Sequence, residues 1–203
     1  PMKHDPLQRL PACAEIAGMI DHTVLAPNSR REVFVEACRF AVSNRCASVC
    51  ICPFFVRDCA ELLRGSGVKT CTVIGFPHGT AATAAKVAEA QIAMEDGAEE
   101  IDMVVNIAKV KDGDWDYVKA DIAAVTAAVH AAACKVKVIF ENCYLEREEK
   151  IRLCRICTEL RCDWVKTSTG FGTGGATIED LQLMKANIGP DVQIKAAGGI
   201  RTL

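Results

Sequence analysis

The sequence predicts an α/β fold, a (β/α)8 barrel, on three observations. Seven short apolar runs recur at about 30-residue intervals, the length of a strand–helix–strand repeat, helix-patterned segments separate them, and charged residues interrupt several runs. Runs rich in Val and Ile, nearly continuous in hydrophobicity, are those of parallel strands covered outside by helices. Such alternation builds either a closed barrel or an open doubly wound sheet. The interrupting residues favour the barrel: Asp21, Asp102, Lys137, Lys166 and Lys195 come from five different runs. A barrel can gather side chains from many strands toward one mouth, whereas an open sheet does so only near its switch point.

The elements follow in order. The first run is MIDHTVL (19–25), and the segment NSRREVFVEACRFAV after it opens with Ser29 and Glu32 spaced as a capping box. ASVCIC (47–52) and KTCTVIGF (69–76) are the second and third strands; the alanine-rich helix TAATAAKVAEAQIAMEDGAEE has Gly97 as its stop. EEIDMVVNI (99–107) precedes the helix DWDYVKADIAAVTAAVHAAAC, and KVKVIF (135–140) precedes the helix EREEKIRLCRICTEL. CDWVKTS (162–168), then TIEDLQLMKANIG ended by Gly189 and Pro190, then VQIKAAGG (192–199) complete the series. A barrel of this kind takes about 250 residues, and no eighth strand follows before Leu203. The expectation is therefore a single domain over 1–203 that lacks its eighth βα unit, truncated at the C-terminus, or else an open barrel with bare strand edges.

Composition narrows the function classes. Half the residues are hydrophobic and a quarter charged, with 24 basic and 26 acidic side chains, so nothing draws the whole chain to nucleic acid or anionic membrane. No apolar run reaches a membrane span and no signal peptide is read, which points to a soluble cytoplasmic protein. Pro1 followed by Met2 reads as a cloning remnant or trimmed start. The twelve cysteines are expected to be reduced, buried and hydrophobic in role. Cys154 and Cys157 form a C-x-x-C, but inside a helix pattern, where neither a redox pair nor a zinc knuckle belongs.

Lysines within strands carry the chemistry. An ammonium in a low-dielectric interior must be paired or neutralised, and Lys137, Lys166 and Lys195 occupy three successive strands. At pH 7 about one ordinary lysine in 2,500 is a free amine, and lowering the pKa to about 7 raises that fraction about a thousandfold. Lys166 and Lys195, each near the C-terminal end of its strand, fit a nucleophile and its electrostatic activator. Asp102, inside EEIDMVVNI, fits either a partner for a buried lysine or a general acid/base, and Asp21 has the same character. The glycine-rich loops TSTGFGTGG and AAGGIRT follow the sixth and seventh strands, where barrels hold phosphate on backbone N–H groups. Residues 170–175 also match G-x-G-x-x-G, but the acidic residue a dinucleotide needs at the end of the next strand is missing, and Asp191 lies at the wrong end. His78 in GFPHG reads as structural, and no metal-ligand spacing is present.

Together, MIDHTVL, SVCICP, TVIGFPHG, EIDMVVNI, KVKVIFEN, DWVKTSTGF and IKAAGGIRT resemble, in order, the strand signatures of the deoxyribose-phosphate aldolase family over residues 16–202. The resemblance implies a class I aldolase without metal or cofactor, joining acetaldehyde and D-glyceraldehyde 3-phosphate reversibly into 2-deoxy-D-ribose 5-phosphate. It implies that Lys166 forms the Schiff base, that Lys195 lowers the Lys166 pKa, and that Asp102 and Lys195 support proton transfer. Gly170, Gly198 and Gly199 would hold the substrate phosphate, with Thr169 and Asp21 in the same substrate-binding group. The implied partner is a small phosphorylated sugar; a homo-oligomer is compatible with the sequence. Phe171 departs from relatives with a basic residue there, leaving phosphate contact at that point to the backbone. Another Schiff-base sugar-phosphate aldolase, or an impaired barrel fragment with a binding or assembly role, are the alternatives.

Overall fold

The structure, a computed structural model, describes residues 12–200. Pro1, Met2 and the Arg201–Leu203 end of the last glycine loop lie outside the described residues. Seven parallel strands form one sheet in sequential order: β1 (Asp21–Val24), β2 (Ser48–Ile51), β3 (Lys69–Ile74), β4 (Glu100–Val104), β5 (Lys135–Ile139), β6 (Trp164–Lys166) and β7 (Gln193–Lys195). Each lies inside one of the seven apolar runs. The sheet curls: Lys137 of β5 comes within 3.5 Å of Asp21 on β1, and Lys195 of β7 within 2.8 Å of the same residue. Seven strands of a (β/α)8 barrel thus surround a common interior, and side chains bridge the gap between β7 and β1.

The short α1 (Cys13–Ala17) precedes β1 and buries no residue, and helices cover the outer face: α2 (Arg31–Asn44), α3 (Val56–Leu63), α4 (Thr83–Glu95), α5 (Ile107–Lys111), α6 (Trp115–Ala131), α7 (Arg147–Glu159) and α8 (Ile178–Asn187). Two caps follow the local sequence. Asp114 accepts the Tyr117 N–H at the start of α6, and Thr177 accepts the Asp180 N–H at the start of α8. The Ser29–Glu32 capping box does not form, because α2 begins one residue later, with Arg30 at the cap and Ser29 in the preceding turn. The short helices α1, α3 and α5 were not foreseen, although Val56, Cys59 and Leu63 of α3 keep the helical spacing of a buried face.

Strand alternation sorts the residues into two environments. Outward-facing Val49, Ile51, Ile101, Met103, Val136, Val138 and Val165 join the main core beneath the helices. The inward positions hold a small apolar cluster, Cys50, Cys71 and Val73 with Leu25 and Phe76 against it, and most of the charged residues singled out above. All twelve cysteines are free thiols; Cys154 and Cys157 are buried in α7 as expected of small hydrophobes, but Cys13 and Cys143 are exposed, against the expectation of burial.

One ion pair lies apart from this interior. Lys86 of α4, fully buried, donates to Asp121 of α6 at 2.6 Å and to the Val104 carbonyl at 2.9 Å. Thr83 occupies the second Asp121 oxygen at 2.7 Å. The pair ties two helices to the end of β4, and neither partner stood out in the sequence.

Candidate active site

Strand register brings the charges together. Asp102 is opposite Lys137 in the β4–β5 pairing, and Lys166 is opposite Lys195 in the β6–β7 pairing. Opposed residues of a parallel pair project to the same face, here the barrel interior. Lys166 Nζ lies 2.6 Å from Asp102 Oδ2, and Lys137 Nζ lies 3.0 Å from Asp102 Oδ1. Lys137 also donates to Glu100, while Lys195 Nζ reaches Asp21 Oδ1 at 2.8 Å and the Met19 carbonyl at 2.6 Å. Three ammonium groups therefore face three carboxylates, Asp21, Glu100 and Asp102. That balance is what allows so many charges in a buried place.

The pairing fixes protonation. Burial alone would raise the Asp102 pKa, but Lys137 and Lys166 hold its carboxyl well below the usual carboxylate range. Burial pulls Lys166 toward the free amine, and the Asp102 charge and hydrogen bond overcome it, so its pKa ends above the ordinary lysine value. Lys195 is paired with the β1 carboxylate Asp21, and Asp102 dominates the Lys166 environment. Burial likewise opposes the charge on Lys137, and the carboxylates Asp102, Asp21 and Glu100 together raise its pKa well above normal.

Cys71 donates to Asp102 Oδ1 at 3.3 Å, and the Cys50 thiol lies beside it. Cys50, Cys71 and Asp102 approach one another closely enough to resemble a ligand set, yet both Asp102 oxygens are already held by ammonium groups. Burial pushes the Cys71 thiol well up, away from the thiolate a metal would need.

Lys166 is 6% exposed and opens onto a cavity of about 590 Å³ that Asp21, Thr169, Gly170, Lys195, Gly198 and Gly199 also line. Every site residue expected from the sequence meets there except Asp102, which sits behind Lys166, fully buried. The loops after β6 and β7 touch: the Ala176 N–H donates to the Ala197 and Gly198 carbonyls at 3.0 and 3.1 Å. A Cβ on Gly175 would lie 2.3 Å from the Gly198 oxygen, so only glycine permits this approach. The amides of Gly170, Gly198 and Gly199 make no hydrogen bond among the described residues.

The hydroxyl residues after Lys166 are engaged within the protein. Thr167 Oγ1 accepts the Ala197 N–H at 3.0 Å and donates to the Ala197 carbonyl at 3.1 Å, stitching β6 to β7. Thr169, expected on the phosphate, gives its amide and hydroxyl to Glu141 and accepts the Phe171 N–H at 3.0 Å. Its hydrogen-bonding groups are thus engaged within the protein. Phe171 packs edge-on against Phe76 of the β3 loop, ring centres 5.4 Å apart. His78 is exposed in its turn, away from the cluster.

Sequence reasoning missed Glu100 and Glu141. Glu100 lies two residues before Asp102, hence on the same strand face, a period-two signal present in EEIDMVV. Glu141 directly follows the apolar strand KVKVIF, where an acidic residue had no evident partner in the sequence.

Comparison with known proteins agrees with this fold. Residues 16–203 match the model of the DeoC/LacD family aldolases. The deoxyribose-phosphate aldolase of Rhodopirellula baltica is 55% identical over 189 residues, covering 93% of this chain and 78% of that protein. That of Thermococcus gammatolerans is 50% identical over 190 residues, covering 93% and 84%. Among solved structures, the tetrameric deoxyribose phosphate aldolase from Aeropyrum pernix superposes with a TM-score of 0.89 at 29% identity, covering 97% of this chain and 82% of that one. The chain belongs to the DeoC/LacD family of aldolases.

Proposed function

We propose that this chain cleaves 2-deoxy-D-ribose 5-phosphate reversibly into D-glyceraldehyde 3-phosphate and acetaldehyde through an imine on Lys166. The observation that carries the reading is Lys166 itself, a buried lysine opening onto a cavity, 2.6 Å from a carboxylate and beside two glycine-rich loops. The names of the relatives above support the substrate.

In this reading Lys166 first gives up a proton, for which Asp102 is the nearest acceptor, and the free amine attacks the aldehyde carbon of the open-chain sugar. A C–N bond forms, the carbonyl oxygen takes up a proton, and loss of water leaves the imine. The bond between the second and third sugar carbons then breaks. Its electron pair moves into the imine to give an enamine, the third carbon's hydroxyl loses its proton, and glyceraldehyde phosphate departs. Protonation of the enamine carbon and hydrolysis return acetaldehyde and the amine. Asp102 carries these protons. Lys195, opposite Lys166 in the register, adds a positive charge that disfavours a second ammonium and drives the Lys166 proton toward Asp102. Asp21 holds Lys195 in place. The amides of Gly170, Gly198 and Gly199, unpaired among the described residues, receive the phosphate.

The tetrameric Aeropyrum pernix relative supports a homo-oligomer for this chain. None of the described helices is long and apolar enough to cross a membrane, and we place the reaction in the cytoplasm, with no cofactor. The test is acetaldehyde release from a panel of sugar phosphates, with and without EDTA. Release from 2-deoxyribose 5-phosphate, resistant to EDTA and abolished by Lys166→Arg, supports the reading. Arginine keeps the charge beside Asp102 but supplies no nucleophile. Folded protein that releases acetaldehyde from none of the panel, or only without EDTA, contradicts it.

A further inference from the structure

Glu141 is a buried carboxylate, 2% exposed, two residues beyond the end of β5. Its backbone is left-handed (φ 58°, ψ 62°), an uncommon conformation for any residue but glycine. A buried carboxylate normally has a cation; among the described residues the hydrogen-bond partners of Glu141 are instead Thr169 and Cys143. The Thr169 N–H donates to Oε1 at 3.2 Å and the Thr169 hydroxyl donates to Oε2. Thr169 Oγ1 in turn accepts the Phe171 N–H at 3.0 Å. A relay of hydrogen bonds thus runs from Glu141 into the turn that carries Gly170. The same carboxyl group supports the next residue, since a Cβ on Gly172 would lie 3.0 Å from its carbon.

We propose that Glu141 is a positioning residue for the phosphate end of the site. It clamps the start of the β6 loop at Thr169, while the Ala176 N–H fixes the other end to the Gly198 carbonyl. Among the described residues the amides of Gly170 to Gly175 make no hydrogen bond apart from that of Phe171, which the clamp itself holds. Anion binding by backbone amides needs them held in a fixed concavity, and five of the residues from 170 to 175 would otherwise have little to define their place. Because Phe171 supplies no charge, recognition there depends on that placement. This inference rests on the sugar-phosphate reading above.

The experiment compares cleavage of 2-deoxyribose 5-phosphate with that of unphosphorylated 2-deoxyribose in wild type, Glu141→Ala, Glu141→Gln and Thr169→Val. The readout is the ratio of the two kcat/KM values. Glu141→Ala is expected to lower this ratio about tenfold, mainly through KM for the phosphorylated sugar. Glu141→Gln should keep most of it, because the amide oxygen accepts the Thr169 N–H and its NH2 donates to Thr169 Oγ1. An unchanged ratio in Glu141→Ala, or equal losses on both sugars that Glu141→Gln does not relieve, overturns the proposal. If Glu141→Ala does not fold, Thr169→Val decides: it removes the hydroxyl link, and an unchanged ratio overturns the clamp. Wild type inactive on both sugars defeats the functional reading and the clamp with it; wild-type discrimination retained in Glu141→Ala defeats the clamp alone.

Discussion

Replacing Asp102 by Asn removes one negative charge from the centre of the barrel while keeping the volume of the side chain. Lys166 at 2.6 Å and Lys137 at 3.0 Å both depend on that carboxylate. The Asn carbonyl can serve one ammonium, but its NH2 then faces the other, donor against donor. Breaking a buried pair costs about 3–5 kcal/mol. Lys137 retains Glu100 and Asp21, so the lower end, about 3 kcal/mol, is expected. Urea denaturation reads this as a lower midpoint at unchanged slope. The pH dependence carries a sign. Because the folded-state pKa of Asp102 is depressed, its stabilisation is complete above the unfolded carboxylate value of about 3.9 and is lost as pH falls through the folded value. The gap between wild type and variant should therefore be constant from about pH 5 to 8 and narrow below about pH 4. A variant within about 0.5 kcal/mol of wild type at every pH refutes the buried-cluster account.

Other perturbations separate structure from chemistry. Lys86→Met leaves Asp121 buried without its cation and should lower stability by about 3–5 kcal/mol with kcat unchanged; denaturation and turnover on one preparation check this. Gly175→Ala places a Cβ 2.3 Å from the Gly198 oxygen, so the two loops must separate, and KM for the phosphorylated sugar should rise about tenfold or more. Lys195→Met should lower acetaldehyde release about a hundredfold or more. Its pH–rate profile should climb more steeply between neutral and alkaline pH than that of wild type, because Lys166 then keeps its proton longer.

The barrel was legible because parallel strands buried on both faces leave continuous apolar runs, and all seven observed strands fall inside them. The charged residues within those runs were the clearest sign of the site, since a lysine in a strand interior has few tolerable explanations. Sequence position showed that Lys166 and Lys195 sit on neighbouring strands, but not which carboxylate each would meet. That depends on how the sheet curls, and curling brings β1 to β7, so Lys195 pairs with Asp21 rather than bearing on Lys166 alone. The Thr-Ser-Thr run looked like an anion loop because hydroxyls and glycines together suit phosphate. The hydroxyls of Thr167 and Thr169 also tie the end of β6 to Ala197 and Glu141, a role that only the paired strands reveal. Glu141 and Lys86 escaped notice because each finds its partner far along the chain: Thr169 for the one and Asp121 for the other.

The central claim is that Lys166 is the amine that bonds to substrate. Incubation with acetaldehyde and borohydride, then peptide mass spectrometry of the whole chain, tests it most directly. The account predicts one dominant N-ethyl lysine at Lys166, with Lys137 and Lys195 unmodified, and no adduct at that position in Lys166→Arg. Folded, active protein in which Lys166 stays unmodified, or in which Lys195 carries the adduct instead, would contradict it.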